Sequence, residues 1–169
     1  MTIKIRVAAA ALFALTGCMA EQEGLEPPKA PGDVIRFTAG RCFGACPAYN
    51  VLVSPDGSGL LTPERFTSVP GPTRFTLTRA QYRRLLTTLA PHRPATGTSQ
   101  RIDQKSCTRF ATDMPSYSVE WTRPGQAVTR LDYQSGCMDP QYGRLRVALA
   151  SIPKILDVQH MLNPKAVAP

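Results

Sequence analysis

Apolar and polar residues change period along this chain, and the changes mark its elements. Val34-Ile35-Arg36-Phe37-Thr38 alternates weakly and is rich in β-formers, which predicts a first strand. Tyr49, Val51 and Val53 alternate with Ala48, Asn50 and Leu52, a second strand with two partly buried faces. Ser54-Pro55-Asp56-Gly57 is a turn: Pro presets φ, Asp can bond its own backbone, and Gly accepts positive φ. Gly59 to Thr62 returns as a third strand, and after Pro70-Gly71-Pro72 a short fourth strand covers Arg74 to Leu77.

The period then becomes helical. Thr78-Arg79-Ala80-Gln81 is a capping box, and Leu77 and Tyr82 stand where a hydrophobic staple would. Tyr82, Leu85, Leu86 and Leu89 share one face, with Arg79, Arg83 and Arg84 off it, and Pro91 ends the helix. His92 to Phe110 reads as polar loop. Thr112-Asp113, followed by Pro115-Ser116, turns the chain into a clean strand through Tyr117, Val119 and Trp121. Arg123-Pro124-Gly125-Gln126 turns, Ala127 to Tyr133 returns, and Gly136-Cys137 closes that hairpin. Asp139-Pro140 signals an N-cap with Pro at the first helical position. Tyr142, Leu145, Leu149 and Ile152 give the buried stripe of a second helix, which Pro153 breaks or restarts, and Ile155, Leu156 and Val158 continue an apolar tail. The order strands, helix, hairpin, helix predicts a two-layer α+β fold: an antiparallel sheet with both helices on one face.

The N-terminus follows a different logic. Lys4 and Arg6 precede an apolar run, Val7 to Leu15, too short for a stable membrane span. It ends in Leu15-Thr16-Gly17-Cys18, which resembles a bacterial lipobox with Cys18 as the lipidated residue; an ordinary leader cut after Ala20 is the rival. Residues 1–17 are therefore expected to be a lipoprotein signal peptide. Met19 in place of Asp resembles outer-membrane sorting, with the protein facing the periplasm and held by acyl chains. Residues 18–32, acidic and Pro-bearing, read as a flexible tether. A single domain is expected over 33–158 and a frayed tail over 159–169.

Charge excludes little. The full chain carries +8, and loss of Lys4 and Arg6 with the leader leaves 18 cations against 12 acids, or +6. The basic residues are scattered, as on a solvated face, although an anionic envelope component or an acidic envelope protein would also be attracted. No motif interleaves stacking aromatics with Lys and Arg, so nucleic acid is not expected as a partner.

Cysteine changes the picture more. Setting Cys18 aside leaves Cys42, Cys46, Cys107 and Cys137, an even number in an exported domain, which reads as two disulfides. Gly44 lets the loop between Cys42 and Cys46 curl tightly enough for a bond, and Cys107 with Cys137 would close a loop of about 30 residues. Crossed pairings and a four-cysteine zinc site remain rivals. Cys42-x-x-x-Cys46-Pro47 also resembles thioredoxin-fold copper-delivery proteins, but strand-like sequence follows it where those open a helix, and neither His92 nor His160 makes a convincing third ligand.

The run Cys42-Phe43-Gly44-Ala45-Cys46-Pro47-Ala48-Tyr49, then Asp56-Gly57, Thr112-Asp113-x-Pro115-Ser116 and Gly136-Cys137, resembles the bacterial domain-of-unknown-function family 6438 over roughly residues 33–158. That resemblance implies an exported domain, often a lipoprotein, that opens on a Cys-Phe/Tyr-Gly-x-Cys-Pro-x-Tyr motif. It implies no activity. Asp113 has no second carboxylate at a meaningful spacing, Gly-x-Ser-x-Gly is absent, and no cofactor motif is present. The expected function is a non-catalytic, disulfide-clamped binding module on a cell-envelope lipoprotein. The alternative is thiol-redox or copper handling through Cys42 and Cys46. Oligomeric state is not legible in the sequence.

Overall fold

A computed structural model describes residues 32–162. The expected leader, Cys18 and the expected tether up to residue 31 lie outside the described residues, as does the expected tail from 163. Within them, seven strands form one sheet in the order β4-β3-β2-β1-β6-β7-β5. The strands are β1 (Val34–Ala39), β2 (Ala48–Val53), β3 (Ser58–Arg65), β4 (Thr73–Thr76), β5 (Ser99–Ile102), β6 (Ser116–Thr122) and β7 (Thr129–Gln134). Helices α1 (Arg79–Leu89) and α2 (Gly143–Ile155) pack against each other, and a short α3 (Gln159–Leu162) follows. The fold is α+β, as the period changes predict.

The core lies on one face of the sheet because the register puts the inward positions of neighbouring strands side by side. Phe37 faces Val51 on one flank and Val119 on the other, and Ile35 faces Val53 and Trp121. These residues are buried together with Leu131 and Tyr133 of β7, under Leu85 and Leu89 of α1 and Leu145, Leu149 and Ile152 of α2. A slip of one residue in β1 would send Ile35, Phe37 and Ala39 to the opposite face.

That opposite face is polar. Arg36 pairs with Glu120 at 3.5 Å, and Arg130 reaches both Glu120 and Asp132, the latter at 2.9 Å. Burial pushes the Asp132 carboxyl up, but hydrogen bonds from Arg130 and Ser118 and the charges of Arg130 and Arg101 outweigh it and hold it below the usual range. The Arg130 guanidinium is raised, first by its hydrogen bond to Asp132. These charges satisfy one another across strands, as opposite-charge neighbours on a sheet do.

α1 begins as its sequence predicts: the Gln81 N–H donates to the Thr78 hydroxyl at 3.2 Å, and the Thr78 N–H donates to the Gln81 side chain at 2.8 Å. Four details differ from the pattern-based expectation. First, the stretch read as polar loop contains β5, which pairs parallel to β7, so the sheet is mostly rather than wholly antiparallel. Only Ile102 of its four side chains is buried; the pairing is made by backbone and leaves little periodic signature. Second, Pro153 neither breaks nor restarts α2, which runs on to Ile155. Pro153 has no N–H to give to the helical ladder, so it removes one bond in the last turn without stopping the helix, which ends two residues later. Third, Asp139 does not cap its own helix through its side chain; a turn at Pro140–Tyr142 intervenes. Fourth, the expected frayed tail starts too early, since Gln159–Leu162 is helical and Leu162 is buried.

Candidate functional site

The sequence-selected residues from 42–49, 107–116 and 136–137 converge at one end of the sheet. β1 ends there and β2 begins there, so the loop between them is a cap on that end. Cys42 and Cys46 are bonded, with Cα atoms 5.9 Å apart. Gly44 has φ of +124°, a conformation closed to L side chains, and that is what lets so short a loop close. Cys107 is bonded to Cys137, Cα atoms 5.7 Å apart, which ties the long segment before β6 to the end of β7. Of the three possible connectivities this is the local one.

The segments are also stitched by backbone. The Gly40 N–H donates to the Ser116 carbonyl at 2.8 Å and the Phe43 N–H to the Asp113 carbonyl at 3.0 Å. The Ser135 N–H and hydroxyl both donate to the Pro115 carbonyl, at 3.1 and 2.6 Å. The Ala111 N–H donates to the Gly136 carbonyl at 2.7 Å. Gly136 is required there, because a Cβ would lie 2.0 Å from the Ala111 carbonyl oxygen. Asp113 takes φ of +68°, tolerable for Asp, and its carbonyl thereby anchors the disulfide loop.

Asp139 is the polar residue whose role the sequence concealed. Its carboxylate accepts from the Thr108 N–H (2.9 Å), the Thr108 hydroxyl (2.8 Å) and the Arg109 N–H (2.9 Å). Those hydrogen bonds, the Thr108 N–H first, hold its carboxyl below the usual range. Asp139-Pro140 reads as a helix start, and the real acceptor role depends on a loop about 30 residues earlier, which no local pattern encodes. Asp139, Cys107 and Cys137 could together approach a metal ion geometrically, but both sulfurs are in a disulfide and the carboxylate is occupied by three donors. The four-cysteine zinc rival falls for the same reason: all four sulfurs are bonded in two pairs.

Two surface features result. Phe43, held at the tip of the disulfide loop, is 86% exposed, and Met114, next to its backbone partner Asp113, is 48% exposed. Beside them is an apolar hollow of about 340 Å³ lined by Cys46, Pro47, Tyr49, Pro115, Leu149 and Leu162, among others. Its α2 and α3 walls were not selected from sequence, because helical apolar residues read simply as core. Burial, and then the neighbouring Tyr117, push the Tyr49 hydroxyl up, so it stays protonated at ordinary pH and offers a donor, not a base.

Among the described residues, the histidines are not gathered with the cysteines into one cluster of possible metal ligands. His92 follows α1, beside a separate hollow it shares with Gln100 and Tyr142, and its pKa is lowered by burial. His160 is exposed on α3. Among the described residues no helix is long and apolar enough to cross a membrane.

A family model described as a domain of unknown function, DUF6438, matches residues 33–154. The chain belongs to that family. No curated protein and no solved structure matches it. The DUF6438 match spans β1 through most of α2, so it takes in both disulfides and every segment at the motif-bearing end. It stops before α3, which contributes Leu162 to the wall of the hollow.

Proposed function

We propose that this DUF6438 protein is a cell-envelope lipoprotein, anchored through Cys18 and most consistent with an outer-membrane position facing the periplasm, whose disulfide-clamped end is a non-catalytic binding surface. The observation that carries the binding role is the convergence of two disulfides and the Asp113 anchor on the display of one exposed aromatic, Phe43, beside an apolar hollow. Fixing an aromatic in an extended position serves recognition, since a preorganised anchor loses little freedom on binding. The lipobox-like tetrad ending in Cys18 supports the anchor.

Two experiments test the reading. Palmitate labelling and fractionation of the wild type and Cys18→Ala should show label and membrane retention lost in the variant; retention without Cys18 refutes the anchor. Affinity capture with the full chain should recover a partner that Phe43→Ala loses; equal recovery by both refutes the binding surface.

A redox role for Cys42 and Cys46 draws on one observation, that both sulfurs belong to half-exposed residues in a very small loop. Against it, Pro47 leads into β2, so no helix N-terminus lowers a thiol pKa there. Thiol counting on protein isolated from the envelope separates the two: labile thiols at 42 and 46 would favour the redox role.

A further inference from the structure

We infer that the hollow beside the Cys42–Cys46 loop receives Phe43 from a second copy of this chain, in a two-fold pair that exchanges the two rings. The inference rests on the binding-surface reading and names its occupant. Phe43 does not occupy its own hollow: it is 86% exposed and is not among the residues that line it. Its N–H is held by the Asp113 carbonyl, and Cys42 and Cys46 bracket it covalently. The hollow is lined by Cys46 itself, so the disulfide rigidly connects knob and hole on one face. Its volume of about 340 Å³ leaves ample room for a phenyl ring. A knob and a hole side by side on one rigid surface are satisfied together by a single two-fold axis between them, and the pair then closes instead of growing into a filament.

Charge on the same patch is self-complementary too. Arg41, one residue before the disulfide, is exposed and forms no ion pair among the described residues. Across the loop, the Asp113 carboxylate accepts from the Thr112 hydroxyl, at 3.2 Å, and forms no ion pair among the described residues. The two-fold operation turns the cation of each copy toward the anion of the other. Each buried ring removes roughly 150–250 Å² from water. Two rings with their rims make a contact below about 1,200 Å², the range of weak and transient pairs. Two chains held on one membrane would meet at high effective concentration and pair despite that weakness.

Replacing Phe43 with the photo-reactive p-benzoylphenylalanine in the full chain, in its own membrane, tests this directly. Irradiation should give a product of twice the chain mass, with the cross-link mapping to Pro47, Pro115 or α2–α3 of the other copy. In detergent, sedimentation equilibrium of the full chain should show a reversible dimer. Phe43→Ala should raise its dissociation constant at least about tenfold. Arg41→Gln and Asp113→Asn should each raise it severalfold and flatten its salt dependence; Asn keeps the left-handed backbone at 113. A cross-link only to a different protein overturns the second copy as occupant and leaves the binding surface standing. A cross-link to lipid alone, or none, overturns both.

Discussion

The two ends of the sheet are fixed by different physics. At the end where β1 begins, Asp33 is almost completely buried, with its side chain 4% exposed, and it receives Arg93 and Arg123, the latter at 3.2 Å. The Tyr82 hydroxyl donates to the Asp33 carbonyl at 2.7 Å, and Arg93 also lies over the Trp121 ring, 5.6 Å from its centroid. At the end where β1 finishes, two covalent bonds and a net of backbone hydrogen bonds do the equivalent job. The first end is sealed by side chains that α1 and the β6–β7 turn deliver onto the start of β1, so it exists only in the finished fold. The second is held in part by two disulfides that persist when the chain unfolds, and it carries an exposed aromatic, Phe43. The difference teaches that a surface displayed to solvent needs restraint from bonds, whereas a closed end obtains it from burial.

Breaking the closed end should have the largest effect. Asp33→Asn leaves two guanidinium groups without their shared carboxylate and is expected to lower stability by up to roughly 4 kcal/mol, short of the full cost of a buried pair because Arg93 and Arg123 stay 24% and 46% exposed. Urea denaturation reads it, and a loss under 1 kcal/mol would mean that the cluster is effectively solvated. Next comes Cys107→Ser with Cys137→Ser, which opens a loop of sequence separation 30. Chain entropy puts that loss at roughly 3.7 kcal/mol. The Cys42→Ser, Cys46→Ser pair, with a separation of 4, should cost about 2 kcal/mol or less by the same model. Its main consequence should be local: faster hydrogen exchange at residues 41–46 with the sheet amides unchanged. Equal losses for the two cysteine pairs would erase the distinction between a fold-closing tie and a display clamp.

The smallest effect is a pH dependence at Asp139. Its folded carboxyl titrates below the ordinary aspartate value, so its contribution is present above that value and is lost as pH falls through the lower folded one. The difference in melting temperature between the wild type and Asp139→Asn should be constant above about pH 5 and shrink below about pH 4. A difference that stays constant at low pH would mean that the hydrogen bonds to Thr108 and Arg109 do not depend on charge.

Sequence patterns carried the sheet's interior well, because β1, β2, β6 and β7 each bury alternate side chains and burial imposes the period. They missed β5 because a four-residue edge strand needs only backbone partners. The candidate site was half legible. Cysteine, glycine and proline spacing drew attention to 42–49, because few residues can make so tight a loop. The walls from α2 and α3, the pairing of Asp113 with Phe43, and the Asp139 latch were invisible because each joins positions far apart in the chain. Whether a side chain near such a loop is core or surface is decided by the whole fold: Tyr49 and Phe43 are both motif aromatics, yet one is 4% and the other 86% exposed.

One further consequence follows from the direction of β1. The chain enters the domain at its Asp33 end and reaches the motif only after the six residues of that strand, about 20 Å at 3.3 Å per residue. The point where the chain enters the domain and the displayed loop therefore sit at opposite poles. Two copies joined through their Phe43 rings would have their chain entries at the two outer ends and the shared contact between them. If Cys18 anchors the chain as proposed, the length of residues 18–32 would set how far that contact can stand from the membrane, and shortening it should hinder pairing without touching a single residue of the contact.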